Sequence, residues 1–331
     1  MKFHLLLITT LSLYLLLLPS RMVHSQLIAT KLAAVLPTRR HATNAHYDPS
    51  SDSIYIFGGR QYAGVTNDIL QFNITSETLT RAKGFLPVSR CDGTTSSDSS
   101  SNIYYHGGPN SAEIFKFSTS LHTVEKVAML PSPNSESASV QMSPLSEEVL
   151  ILGGVKARDR VVRFNMDTLE VQQLAPLPMN YSVILAVADG AGSAYIFGNP
   201  YTEGEISGEH YVTKMNLSTL ETVQVGGPTF PSVRDKGAAV WDGSDVYVVG
   251  GYGGFPSGIR SDSILKWSPA RMEHSIIPVL NFPWAFDRQE FKGASAVFVE
   301  RLRRIYFFGG MSQNAGSGAF MMYDGIWYIQ L

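Results

Sequence analysis

Arginine is the residue type whose placement in this 331-residue chain points most directly to chemistry. Arginines recur in two settings, after pairs of glycines and after Leu-Pro or Phe-Pro pairs. The first setting holds Arg60, Arg158, Arg160 and Arg260, and the second holds Arg39, Arg40, Arg90, Arg234 and Arg288. A guanidinium fork matches carboxylate, sulfate and phosphate groups. The pattern predicts an anion-binding surface wherever the fold brings the two settings together.

Aromatic residues follow the same glycine turns and give a second indication of a binding surface. They are Tyr62, Tyr201, Tyr252 and Phe255. Exposed aromatic side chains often pack on sugar rings or protein partners. The alternative is that these side chains only fill space within their own loops.

Six short apolar runs precede these turns, and they are the elements that must position the side chains. Each run ends in Gly-Gly, or in Gly-Asn at the fourth copy. The first glycines are Gly58, Gly107, Gly153, Gly198, Gly250 and Gly309, spaced 45 to 59 residues apart. A period of this size marks a repeat architecture. The β-branched and aromatic content of the runs predicts strands that are buried on both faces.

Each repeat divides into four predicted strands, named a to d in chain order. In the first repeat they span residues 41–47, 54–57, 68–74 and 78–83. A residue of strand c is paired seven positions later with one of strand d: Phe72 with Leu79, Phe117 with Val124, Phe164 with Val171, and in degraded form Met215 with Thr222 and Trp267 with His274. The last repeat has no strand d. Residues 27–36 form a spare strand that we expect to complete it, which would close a ring.

The glycine pairs, the seven-residue spacing and the Pro-x-x-Arg segments together resemble the kelch-repeat β-propellers over about the whole mature chain. The resemblance implies an all-β fold, a six-bladed kelch-type β-propeller closed by its N-terminal strand. It also implies that the b–c and d–a loops share the face on which propellers usually bind ligands. The chain departs from the family in lacking the tryptophan common in strand d, and in carrying Asn199 for a glycine.

The first 25 residues have the features of a cleaved secretory signal peptide. Lys2 precedes the apolar residues 5–18, and the small residues Val23 and Ser25 precede the expected cut. An uncleaved signal anchor is the alternative. We therefore expect residues 26–331 to be a single secreted, extracellular domain that is monomeric and has no membrane span.

Charge and sequons narrow the class of partner. Residues 26–331 carry 24 basic and 28 acidic residues, a formal charge of −4, so we expect no nucleic-acid partner. Sequons begin at Asn73, Asn180 and Asn216, and a secreted protein with these would be a glycoprotein. Asn73 and Asn216 occupy the same point of their repeats, which favours them over Asn180.

The predicted function is a binding or scaffold module that recognises an extracellular protein or glycan, with an acidic sugar as one example of an anionic ligand. The predicted ligand-binding residues are Arg60, Tyr62, Arg90, Arg158, Arg160, Tyr201, Tyr252, Phe255, Arg260 and Arg288. The alternative for Arg39, Arg90 and Arg234 is that they brace one blade against the next through backbone carbonyls.

A sugar-acting enzyme is the alternative function. Kelch-like proteins similar to sugar mutarotases need an acid and a base over a pocket, and Glu136, Asp235 and Glu290 could serve. A protein similar to galactose oxidase would need copper, histidine ligands and a Cys–Tyr crosslink. The lone cysteine, Cys91, lies beside Arg90 near the predicted axis, but the histidines are scattered and Cys91 is expected to be a buried apolar residue. We therefore expect no catalytic residue, no cofactor and no metal.

Overall fold

The computed structural model describes residues 26–143, 146–181, 184–198, 201–202, 205–206, 211–225, 234, 236–251, 262–283, 289–314 and 318–331. The predicted signal peptide, residues 1–25, lies outside this part of the chain. The described part is all β apart from one short 3₁₀ helix, Glu300–Leu302. None of its helices is long and apolar enough to cross a membrane.

Strand β1 (Leu27–Val35) precedes four separate four-stranded antiparallel sheets. The first sheet contains β2 (Asn44–Asp48), β3 (Ser53–Phe57), β6 (Asp68–Asn73) and β7 (Thr78–Phe85), with the small hairpin β4 (Arg60–Gln61) and β5 (Gly64–Val65) between β3 and β6. The second contains β8 (Thr94–Ser97), β9 (Asn102–His106), β10 (Glu113–Ser118) and β11 (Val124–Met129).

The third and fourth sheets repeat the same order. The third contains β12 (Ala138–Gln141), β13 (Glu148–Leu152), β14 (Val161–Asn165) and β15 (Val171–Gln173). The fourth contains β16 (Leu185–Ala188), β17 (Ser193–Gly198), β20 (Tyr211–Asn216) and β21 (Thr222–Gln224), with the hairpin β18 (Tyr201–Thr202) and β19 (Glu205–Ile206) between β17 and β20.

The remaining strands form one eight-stranded sheet and a small three-stranded sheet. The chain continues through β22 (Ala238–Trp241), β23 (Val246–Val249), β24 (Ser263–Ser268), β25 (Glu273–Leu280), β26 (Gln289–Lys292), β27 (Ser295–Val299), β28 (Arg304–Phe308), β29 (Met311–Asn314), β30 (Phe320–Met322) and β31 (Gly325–Gln330). The eight-stranded order is β22-β23-β24-β25-β1-β31-β28-β27, and β26, β29 and β30 form the small sheet.

The N-terminal strand is paired with the C-terminal one, as predicted. Ala29 lies opposite Ile329 in the antiparallel pair of β1 and β31. The structure adds a feature that the sequence did not predict: Leu27 and Ile28 also pair in parallel with Val279 and Leu280 of β25. This short parallel pair is what merges two four-stranded halves into the eight-stranded sheet.

The sheets are arranged as a propeller-like ring. Their first strands contact one another in the order β2, β8, β12, β16, β22 and β27, and β27 returns to β2. The second strand of each repeat is buried on both faces, as its apolar run predicts. In β3, for example, the ring of Tyr55 packs against Phe117 of the second sheet, whereas Ile54 belongs to a core cluster that also contains Tyr306 of the eight-stranded sheet. Burial of such a side chain contributes roughly 1.5–3 kcal/mol.

The seven-residue spacing is confirmed as cross-strand pairing between the third and fourth strands. Phe72 lies opposite Leu79, and Trp267 lies opposite His274, so even a degraded copy keeps the register. The first predicted strand, 41–47, begins later than expected, at Asn44. Before it, His41 forms an isolated bridge with Arg60, and the N–H of Ala42 donates to the carbonyl of Gly293 at 2.6 Å.

The glycine pairs lie where one sheet meets the next. Gly58 has φ +55°, and a Cβ there would overlap the carbonyl oxygen of Arg90. The following Gly59 N–H donates to that same oxygen at 2.8 Å. The pair therefore lets the segment that introduces the second sheet pack directly on the first.

Candidate functional site

A cavity of about 300 Å³ lies on the axis of the ring, at the end where the glycine turns are. Its wall is formed by the first strands and by the residues just before them. Much of the wall is made of small side chains such as Ala45, Ala186 and Ala296, which leave the space open. The volume is at the lower end of the range for small-molecule sites.

One residue of each repeat, two positions before the first strand, builds the rim of this cavity; we call it the mouth position. The described mouth positions are Ala42, Asp92, Glu136, Lys236 and Gly293, all with positive φ. The sixth, Val183, lies outside the described residues. The carbonyl of Asp92 accepts from the N–H of Glu136 at 2.8 Å, and three similar backbone bonds of 2.6–3.0 Å link the others. This backbone belt ties neighbouring sheets together whatever side chain each position carries.

Charged side chains of both signs therefore meet at the rim. Lys236 Nζ donates to Glu136 Oε1 at 2.7 Å, which spans the position of the intervening repeat. Lys292 also lines the cavity, and its Nζ donates to Gln313 Oε1 at 3.0 Å. Asp92 is next to Glu136 on the rim, because the backbone belt joins these two residues. The lining thus offers cations for an anionic group and carboxylates for hydroxyl groups.

Burial and these charges shift two titrations at the cavity. Burial, together with the nearby cations Arg60, Lys236 and Lys292, lowers the pKa of His41 to about 4. The imidazole of His41 is therefore neutral at pH 7. Burial raises the pKa of Asp92, and the negative charge of Glu136 acts in the same direction. Asp92 therefore holds a proton more readily than an ordinary aspartate does.

A second position, two residues before the mouth position, holds each repeat together; we call it the brace position. In three repeats it is arginine. Arg40 is fully buried and donates to Asp68 Oδ1 at 2.6 Å and to the carbonyl of Gly58 at 3.1 Å. Arg234 donates to Ser263 Oγ at 2.7 Å and to the carbonyl of Gly250 at 3.3 Å.

Arg90 occupies the brace position of the second repeat. It forms an ion pair with Glu113 and lies over the ring of Phe115, with 11% of its side chain exposed. The bond of Arg234 to the Gly250 carbonyl matches the bracing alternative in its use of a backbone carbonyl, whereas the side-chain partners of both Arg90 and Arg234 lie in their own repeats and not in the next one. In the first repeat the brace is Arg40, whereas Arg39 is 55% exposed and lies 3.9 Å from Asp324.

The other three brace positions use neutral chemistry. Asn134 Nδ2 donates to the carbonyl of Gly153 at 2.9 Å. The hydroxyl of Tyr181 lies 3.0 Å from Thr213 Oγ1. Phe291 packs against Phe282 with ring centroids 5.0 Å apart. The position thus needs a side chain that fills and satisfies the junction, and arginine is one of several solutions.

The b–c loop arginines lie in different surroundings. Arg60 is exposed beside the cavity, where its backbone pairs with His41 and its Nη2 lies 3.8 Å from Cys91 Sγ. Arg158 Nη1 donates to the carbonyl of Tyr181 at 3.4 Å. Arg160 is buried, and burial lowers its pKa. Of the described arginines in this group, Arg60 is the one beside the cavity, while Arg260 and Arg288 lie outside the described residues.

The predicted aromatic residues are only partly described. Tyr62 is 60% exposed and stacks on Phe320, with ring centroids 5.8 Å apart. The backbone of Tyr201 pairs in β18, and its side chain lies outside the described set. Tyr252 and Phe255 lie outside it as well.

The sequon asparagines differ in position. Asn73 and Asn216 end the third strands of their sheets, at the end of the ring away from the cavity. Each Oδ1 accepts backbone N–H groups of the following turn at 2.9 Å. A glycan attaches to Nδ2, so these turns would survive the modification. Asn180 is exposed in a segment on the cavity side. Glycosylation at all three stays a prediction.

The residues considered for enzymatic chemistry are only partly brought together. Glu136 lies at the cavity, Asp235 lies outside the described residues, and Glu290 is described only by its backbone in β26. Cys91 is buried, as predicted, and burial raises the pKa of its thiol to about 12. Among the described residues, no three His, Cys, Asp or Glu side chains are grouped as a metal site.

Sequence reasoning missed Asp92, Lys236 and Lys292. The position within the repeat could have identified the first two. Asp92 and Lys236 each lie two residues before a first strand, and that strand begins opposite the residue that precedes Gly-Gly. Comparison of the sequence with models of protein families gives no match, and comparison with curated proteins gives none either. The fold and the geometry of the cavity therefore carry the functional argument.

Proposed function

We propose that this protein is a secreted binding module whose central cavity recognises a glycan through an acidic sugar unit. The observation that carries the proposal is the mixed charge of the rim. Lys236, Lys292 and Arg60 surround a neutral His41, and Asp92 and Glu136 stand on the same rim. Cations suit a carboxylate, and carboxylates accept hydrogen bonds from hydroxyl groups.

We propose further that the fold is a six-bladed kelch-type propeller. Support comes from the closed order of the six first strands and from the glycine pairs at the sheet junctions. The two halves of the eight-stranded sheet would then be the fifth and sixth blades, with β1 as the outer strand of the sixth. Secretion follows from the N-terminal features, and purification from an oxidising secretory host with N-terminal sequencing tests it.

The binding proposal is tested by calorimetric titration of residues 26–331 with glucuronic acid, and with glucose as the uncharged control. We expect glucuronic acid to bind more tightly. Replacing both Lys236 and Lys292 by Ala should weaken its binding about tenfold or more, since each charge-assisted hydrogen bond contributes about 1.5–3 kcal/mol.

The matched control is Lys126→Ala, because Lys126 is a 53% exposed lysine on the outer strand of the second sheet. It should leave binding unchanged. Equal affinity for glucuronic acid and glucose would reject the acidic-sugar proposal. A glycan array then identifies the natural unit.

A sugar-acting enzyme of the mutarotase type is a second candidate, because two carboxyl groups, those of Asp92 and Glu136, line one cavity. In such a reaction a base takes the proton of the anomeric hydroxyl, an acid gives a proton to the ring oxygen, and the bond between that oxygen and the anomeric carbon breaks. Reclosure on the other face reverses these steps. Asp92, whose pKa is raised by burial, would be the acid, and Glu136 would be the base.

This second candidate is tested by NMR exchange between the anomers of glucose. The wild-type protein should accelerate the exchange, and Asp92→Asn should remove most of the acceleration. An exchange rate equal to that in buffer alone would reject the enzyme and leave the binding module.

A further inference from the structure

Two hairpins stand beside the cavity and present aromatic side chains to solvent. The hairpin of β4 and β5 carries Tyr62 at its turn, and the hairpin of β29 and β30 carries Phe320. The two rings stack at 5.8 Å with an interplanar angle of 23°. They nevertheless remain 60% and 48% exposed, which is unusual for large side chains that already have a partner.

The aromatic pair is held in place by more than its own stacking. The N–H of Met322 donates to the hydroxyl of Tyr62 at 3.1 Å, so each hairpin anchors the other. The strand β29 is also paired on its other side with β26. The rings therefore form a fixed surface, which we call the aromatic platform, and a ligand would not have to order it on binding.

The aromatic platform is continuous with the cavity wall. Arg60, where the first hairpin begins, pairs with His41 of the cavity, and Tyr62 lies two residues further, at the turn of that hairpin. In the second hairpin Met311 lines the cavity. Gln313, which lies opposite Phe320, accepts a hydrogen bond from the cavity residue Lys292. A ligand leaving the cavity on this side would therefore meet the platform next.

We propose that Tyr62 and Phe320 form a second subsite, which stacks on the sugar ring adjoining the acidic unit held in the cavity. The inference rests on the proposed function and deepens it: the ligand is an oligosaccharide that carries an acidic unit, and not a free sugar. The electron-rich face of an aromatic ring attracts the weakly positive C–H groups on one face of a sugar ring.

The size of the aromatic platform favours a sugar over a protein. A stable protein interface covers about 800 Å² on each partner. Two partly covered rings offer far less, although they match the face of one or two sugar rings. The polar cavity beside them also suits the hydroxyl-rich remainder of such a chain better than it suits an apolar protein surface.

The test is calorimetric titration of residues 26–331 with galacturonic acid and with its dimer and trimer. We expect the dimer to bind about three- to tenfold more tightly than the monomer, which is the gain typical of one aromatic contact. Tyr62→Ala and Phe320→Ala should each remove most of that gain and leave monomer affinity unchanged. Tyr62→Phe keeps the ring and should keep the gain.

The matched control is Phe85→Ala, since Phe85 is a 63% exposed aromatic residue on the outer strand of the first sheet. It should change none of the affinities. Monomer, dimer and trimer binding equally would overturn the subsite, leave the cavity proposal standing, and point to a protein as the occupant of the aromatic platform. Equal loss of monomer and dimer binding in Tyr62→Ala would overturn it as well. Failure of all three ligands to bind wild-type protein would overturn both proposals.

Discussion

The brace and mouth positions lie two residues apart, but one stabilises the ring through its side chain and the other through its backbone. At the brace position the side chain does the structural work: Arg40 is 0% exposed and Arg234 is 3% exposed, and both donate to carbonyl groups of a glycine turn. At the mouth position the backbone does this work through the belt, and side chains as different as Asp92 and Lys236 are accepted.

The difference shows how a repeated frame can carry a site that is not repeated. A brace side chain must fit a buried partner, so its chemistry is limited by its own sheet. A mouth side chain needs only to tolerate positive φ, and it faces the cavity. Variation among the mouth positions therefore changes the chemistry of the cavity with little effect on the ring.

The largest expected effect is at the brace position of the first repeat. Arg40→Ala would leave the buried carboxylate of Asp68 with only the exposed Arg81, 3.5 Å away, as a cation partner, which should lower the free energy of unfolding by about 3–5 kcal/mol. The neighbouring Arg39→Ala, at an exposed side chain, should cost no more than about 0.5 kcal/mol. Urea unfolding measures both, and equal losses would contradict the assignment of Arg40 as the brace.

The glycine turn that the brace contacts should be nearly as sensitive. Gly58→Ala places a methyl group against the carbonyl oxygen of Arg90 and should cost about 3 kcal/mol or more. Gly64→Ala is the matched control, because Gly64 also has positive φ but a methyl group added there would meet no atom within 4 Å. That variant should cost about 1 kcal/mol, from backbone strain alone. A thermal melt of the pair separates crowding from strain.

A buried histidine of the sheet body predicts a loss of stability in acid. Burial lowers the pKa of His106 to about 3, below the unfolded value of 6.5, so the unfolded state binds the proton first. His106 should therefore lower the stability by about 2 kcal/mol between pH 7 and pH 5, and His41 and His46, whose pKa values are also lowered, should add to the fall. Urea midpoints of wild type and His106→Gln at both pH values check this. A variant with the same pH dependence as wild type would show that His106 is not the group responsible.

The smallest expected effect on stability is at the mouth. Lys236 is 45% exposed, so its ion pair with Glu136 should contribute less than about 1 kcal/mol to folding. A double-mutant cycle of Lys236→Met and Glu136→Gln measures it by urea unfolding. A coupling as large as the loss in Arg40→Ala would remove the distinction between mouth and brace, and would make the mouth pair a structural element.

The ring of sheets could be predicted from the sequence because its strands follow a periodic pattern of apolar residues. Phe72 and Leu79 identify their hairpin by residue type and by their seven-residue spacing. The spare strand near the N-terminus matched the one repeat that lacked a fourth strand, and it pairs there with β31. The cavity was harder, since neither Asp92 nor Lys236 belongs to an apolar pattern. Two adjacent arginines, 39 and 40, also look alike in sequence, and only the path of the backbone decides which of them is buried.

The pairing of β1 with β31 and β25 has a consequence for the order of events during synthesis. Residues 27–35 emerge early, yet their partners are made some 250 to 300 residues later. At about 5–20 residues per second, this strand waits roughly 12–60 seconds before either of the strands that it pairs with exists. Throughout that interval the nascent chain carries an unmatched strand at one end and an unfinished ring. The pairing of β1 with β31 can therefore form only after residue 325 and those that follow it have been made, so closure of the ring waits for the end of synthesis.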